Sequence, residues 1–142
     1  MPVQSPTRRG VRASRLSVGV ILAGAELFIG VGAVYGGVML LADAWHLPVA
    51  DLNPLPLHSW VLPGIALLIV VAGPMLSAAL LLLRHHRRAA DASTVAGLVL
   101  TGWVLAQVAI IGPQMFLQAV MLLLGVAISM LGWRLRRTWD DR

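Results

Sequence analysis

The chain has 142 residues, of which 58% are hydrophobic and 12% charged, with a mean hydropathy of +0.84. A soluble domain carries about 25% charged residues, so this composition excludes one and predicts a single-domain integral membrane protein. Cysteine is absent, which excludes disulfides, thiolate metal sites and a cysteine nucleophile.

All eleven basic residues are arginine, and the pI is near 11.6. They flank apolar segments without an RNA-binding motif or interleaved aromatics, so anionic lipid head groups are the expected partner and nucleic acid is not. Residues 1–15 hold Pro2, Pro6 and four arginines, and read as a disordered basic cytoplasmic arm. The apolar run that follows exceeds the ~7–15 residues of a signal-peptide core and contains an acid, so no cleavage is expected.

The first span covers residues 16–42, 27 residues where ~20 suffice to cross ~30 Å of hydrocarbon. It contains Glu26, the only acid inside an apolar segment. At ~1.5 Å rise per residue from Ser17, the carboxyl is expected ~14 Å in, near the midplane. A charge there costs at least ~2.5–3.5 kcal/mol and should not face lipid. On a helical wheel Gly19, Ala23, Glu26, Gly30, Ala33 and Gly37 share one stripe, whose small residues let another helix approach closely. Two readings of Glu26 follow from the residues. It is a proton or cation site, or a protonated carboxyl hydrogen-bonded across helices.

Residues 43–59 form a Pro-rich loop with room for a short turn over Val49 to Leu52, bracketed by Trp45 and Trp60 as at a membrane boundary. Its Asp43, His46, Asp51 and His58 match no tight metal-ligand spacing, so no metal is expected. The second span, 60–83, carries Gly73-Pro74 near its middle, which predicts a kink with Ser77 available to bond freed carbonyls. Arg84, His85, His86, Arg87 and Arg88 follow. Asp91 or Ser93 is expected to cap a third span over 92–111, which Gly112-Pro113 ends. A fourth span, 114–133, leads into a cytoplasmic tail, 134–142, with Arg134, Arg136 and Arg137.

Four arginines precede span one, three separate spans two and three, and four follow span four. All therefore fall on one side, which the positive-inside rule makes cytoplasmic, with both termini inside. These arginines, Arg84, Arg87, Arg88, Arg134, Arg136 and Arg137 among them, are expected at lipid head groups. Trp103 is expected at the depth of Glu26, where its indole N–H could donate to the carboxyl, with Gln107 as a second partner. Gln114 and Gln118, spaced one turn apart, join Gln107 at the outer end of the last hairpin as a candidate polar vestibule. No Ser–His–Asp set, phosphate-cradling loop or paired intramembrane carboxylate is visible in the sequence, and neither enzymatic activity nor a cofactor is expected.

Two resemblances rest on these motifs. Glu26…Gly30…Ala33-Val34-Tyr35-Gly36-Gly37, then Leu47-Pro48, Asn53-Pro54-Leu55, Leu62-Pro63-Gly64 and Gly102-Trp103…Gln107, resemble a group of small, mostly uncharacterised bacterial four-helix membrane proteins of the DoxX-like kind. That resemblance spans most of the chain and implies a helical bundle in a bacterial inner membrane, with no assigned reaction. The loop lacks the glycines expected in that group. Ala25-Glu26…Gly30 alone is similar to the first helix of small multidrug resistance transporters, which implies proton coupling at Glu26 and an aromatic contact for cations at Trp103. The one-sided arginines and the long loop depart from that second pattern.

The sequence thus predicts an all-α, four-transmembrane-helix bundle that is non-enzymatic and packs with itself or a membrane partner. The alternative is a proton-coupled transporter or small-molecule binder using Glu26, Trp103, Gln107 and Gln118.

Overall fold

The computed structural model describes residues 8–52, 55–113 and 116–140, with side chains except at 8–16, 51 and 138–140. In order the elements are α1 (Arg8–Leu41), a 3-10 turn (Val49–Leu52), α2 (Val61–Ala66), a π-helical turn (Leu67–Ala72), α3 (Gly73–Leu83), α4 (Ala89–Ile111) and α5 (Phe116–Asp140). Among the described residues there is no strand. Four segments are long and apolar enough to cross a membrane: Ser17–Leu41, Val61–Leu83, Ala89–Ile111 and Phe116–Arg137. The protein is an all-helical chain with four such helices, as its apolar runs require.

Several boundaries differ from the sequence reading. The arm expected to be disordered over 1–15 is helical from Arg8, because no proline or glycine pair separates its arginines from the apolar run. The tail expected from 134 is likewise helix, α5 continuing to Asp140. The third span begins at Ala89 rather than 92, with Arg88 at its N-cap and no side-chain cap. Asp91 instead lies in its first turn, where a negative charge suits the helix dipole, and pairs with Arg136 of α5 at 2.9 Å.

The helix ends close through hydrogen bonds of the Schellman type. After α3, the His85 N–H donates to the Leu82 carbonyl at 3.0 Å and the His86 N–H to the Leu81 carbonyl at 2.9 Å. This closure puts His85 at φ 49°. The same pair of bonds ends α1, from Asp43 to Leu40 and Ala44 to Met39, with Asp43 at φ 47°. Left-handed backbone is thus carried by Asp43 and His46 in a loop where glycine would be the default residue. The turn expected over Val49 to Leu52 forms, and Leu52 is its buried anchor. Trp60 Nε1–H donates to the Leu47 carbonyl at 3.2 Å, and Trp45 meets Tyr35 edge-on at 6.3 Å.

Proline explains the irregular second span. Pro74 has no N–H for the carbonyl four residues back, and its ring would strike that carbonyl in an α-helix. The chain widens by one residue just before it: the Gly73 N–H reaches the Leu68 carbonyl, five residues back. The disturbance expected at Gly73-Pro74 is this π turn, while Ser77 faces outward.

α1 packs antiparallel on α2, the π turn and α3, α3 on α4, and α4 most closely on α5, with a looser α1–α5 edge. The arginine-bearing segments therefore meet at one end of the bundle and the Pro-rich loop lies at the other. The core runs from Leu22, Ala23, Ile29 and Ala33 of α1 through Met75, Ala78 and Leu82 of α3 to Ala96, Leu100 and Val104 of α4.

Candidate functional site

The site forms around the one carboxyl inside the bundle. Glu26 is completely buried, between the buried Leu22 and Ala23 on one turn of α1 and Ile29 and Gly30 on the next. This inward stripe is the one legible on the helical wheel. Ala23, Glu26, Gly30, Ala33 and Gly37 are all buried. A Cβ at Gly30 would lie 2.6 Å from Leu76 Cδ2, and one at Gly37 2.6 Å from Leu68 Cγ and 3.1 Å from the Gly64 carbonyl. The small residues are spent on helices of the same chain. Gly19 is different: it is half-exposed with open space around it. Carrying the Gly30–Leu76 register down the antiparallel pair sets Gly19 level with Arg87, past the end of α3.

Across the bundle, Glu26 faces Ser93 of α4, which is also completely buried. Ser93 is within reach of the Glu26 carboxyl, but neither carboxyl oxygen nor the hydroxyl meets full hydrogen-bond geometry with any described residue. The other described hydroxyls in the α4–α5 pair are satisfied by their own helices. Thr94 donates to the Ala90 carbonyl at 2.8 Å, Thr101 to Gly97 at 2.8 Å and Ser129 to Gly125 at 2.9 Å. Ser93, expected as a cap, is instead the hydroxyl presented to the carboxyl. Nothing in the spacing of a single helix marks it, although its place on the small-residue stripe with Gly97 and Thr101 identifies it as inward-facing.

Ser93 also fixes the depth of the site. It lies four residues from the start of α4, ~6 Å at the helical rise, so Glu26 sits near the arginine end of the bundle. Counting from Ser17 sets the carboxyl deeper because α1 is long, and Ser17 is not level with the ends of its neighbours. Trp103 is half-buried against the core, ten residues or ~15 Å along α4 from Ser93. Gln107 is farther still, ~21 Å, and shares the hairpin end with half-buried Gln118. The structure therefore brings Ser93 to Glu26, and places Trp103, Gln107 and Gln118 toward the loop end. Gln114 lies outside the described residues, as do Asn53 and Pro54.

Two other features belong to the ends. At the loop end, Asp43, His46 and His58 border a groove of about 310 Å³ with an apolar floor that includes Leu47 and Trp60. Asp43 and His46 approach to 3.7 Å while largely exposed. Among the described residues no three His, Asp or Glu side chains are placed to hold a metal ion. At the other end Arg84, Arg87, Arg88, Arg134, Arg136 and Arg137 are exposed. Arg137 stacks 3.7 Å over the Trp133 ring, and Arg136 is the partner of Asp91.

Comparison of the chain with protein-family models, curated proteins and solved structures finds no match.

Proposed function

We propose that this chain is a multi-pass protein of a bacterial inner membrane, with its arginine end in the cytoplasm, that acts without enzymatic chemistry by packing against a second copy or a membrane partner. The reading is carried by the outward face of α1. There Gly24 and Gly32 flank Phe28, 75% exposed, at helical spacing, and a Cβ on either glycine would meet nothing within 4 Å. In lipid, where apolar surface alone does not drive association, such small residues admit the close backbone approach that does. Exposed arginines at one end and none in the described loop support the orientation. The same arginines serve anionic lipid head groups.

The test exploits the open space. Gly24→Leu and Gly32→Leu leave the internal packing untouched and should abolish association, read as subunit number by single-molecule photobleaching in bilayers. A monomeric parent protein that also co-purifies no partner overturns the reading.

A second reading, a proton-coupled transporter or small-molecule binder, is favoured by one observation: the fully buried carboxyl of Glu26. Trp103, Gln107 and Gln118 would then line the route from the loop end rather than touch Glu26. Unchanged ligand binding and transport in Glu26→Gln would sink it.

A further inference from the structure

We infer that Glu26 and Ser93 form a one-proton site that latches α1 to α4 across the diagonal of the bundle. The inference is independent of whether the chain self-associates.

The geometry comes first. α1 and α4 lie diagonally, each packed on α3, with little direct contact between them. The two side chains that reach across are both fully buried and within reach of each other, and among the described residues their three oxygens are the buried side-chain oxygens that lack a partner of full hydrogen-bond geometry. A carboxylate and a hydroxyl left so in an apolar interior are each costly, the charged form far more than the neutral one. One proton resolves both. A carboxylic acid has an O–H to donate to Ser93 Oγ, and the hydroxyl has its own O–H to return to the carbonyl oxygen of the acid. Three oxygens are too few for a hard cation such as Ca²⁺, which takes six to eight. The ligand these two side chains fit without further donors is the proton.

Among the described side chains no other charge relieves Glu26, and His85, His86, Arg87 and Arg88 between α3 and α4 are exposed. On α1, Tyr35 is exposed toward the loop end, and the arginines at 8–15 precede the described side chains. α2, the π turn and α3 contain no ionisable residue, and Arg84 after α3 is exposed. On α4, Asp91 is exposed and paired with Arg136. On α5, Arg134, Arg136 and Arg137 are exposed.

When the proton leaves, the carboxylate requires water. Water lies one turn away, past the start of α4, so the ends of α1 and α4 separate at the arginine end while the α4–α5 pair stays closed.

The test uses the full chain in lipid, and the absence of cysteine allows clean labelling. Infrared spectra at neutral pH should contain a protonated-carboxyl C=O band that Glu26→Gln removes and Ser93→Ala moves to higher wavenumber. Spin labels on Val20→Cys and Val95→Cys, both exposed positions, should move apart as pH rises, and stay fixed in Glu26→Gln, the neutral mimic. An ionised carboxyl at neutral pH overturns the site, and an unmoved band in Ser93→Ala overturns the pairing. A label distance that ignores pH, or follows it equally in Glu26→Gln, overturns the latch. None of these outcomes depends on subunit number.

Discussion

The two helix pairs of this bundle solve close packing in different ways. Where α4 meets α5, glycine faces backbone together with the hydroxyls of Thr94, Thr101 and Ser129. A Cβ at Gly97 would lie 2.6 Å from both the Gly125 carbonyl and the Ser129 nitrogen, and one at Gly132 would lie 2.8 Å from the Thr94 nitrogen. Where α1 meets α3, glycine faces side chain, as Gly30 does Leu76. In the first pair Thr94, Thr101 and Ser129 are each bonded within their own helix. The second pair encloses a carboxyl that its own helix does not satisfy. The unmet carboxyl thus belongs to the α1–α3 half, and the α4–α5 pair is the wall against which α1 presents it, with Ser93 of α4 opposite.

That contrast is open to measurement. Gly97→Ala should have the largest effect, because the new methyl meets backbone that has no rotamer to change. The cost should reach or exceed the ~1–3 kcal/mol of overpacking, read as lost stability in reversible unfolding from mixed micelles. At Gly30 the same substitution meets the Leu76 side chain, Cδ2 at 2.6 Å and Cγ at 2.8 Å, which can give more than backbone can. There the gain in helix propensity, about 1 kcal/mol, should offset most of the cost. Equal losses at the two glycines would erase the distinction between the pairs. The smallest effect is expected at the rim of the α4–α5 pair. Asp91→Asn removes a half-exposed ion pair with Arg136, worth ~0.2–1 kcal/mol and weakened by salt. A loss that salt does not reduce would mean that Asp91 supports α4 by capping instead.

The legibility of the fold follows from locality. The four apolar runs, the inward stripe from Ala23 to Gly37, the turn at Val49–Leu52 and the break at Gly112, whose φ of 89° suits glycine, depend on residues near one another in the chain. The disturbance at Gly73-Pro74 was legible for the same reason, but its form was not. A missing N–H can be met by a bend or by a widened turn, and the neighbours decide.

The site was legible by half. Glu26 stands out because a lone acid in an apolar run has one reasonable direction to face. Its partner did not stand out. Counting depth along α1 from Ser17 places Trp103 opposite, whereas the structure places Ser93 there, ~15 Å away along α4. The glycines at 97, 125 and 132 were equally silent, since small residues on two helices acquire meaning only when the helices meet.

By itself, then, the sequence determined what each segment must be: four apolar helices, arginines flanking them on one side only, and one acid with nowhere to face but inward. Hydrophobic length, backbone chemistry and the cost of a charge in hydrocarbon are properties of single segments. Only the tertiary structure decided which residue meets that acid. The choice turns on the stagger of α1 against α3 and α4, and stagger is set by interlocking side chains such as Leu76 over Gly30, between segments that share no local sequence.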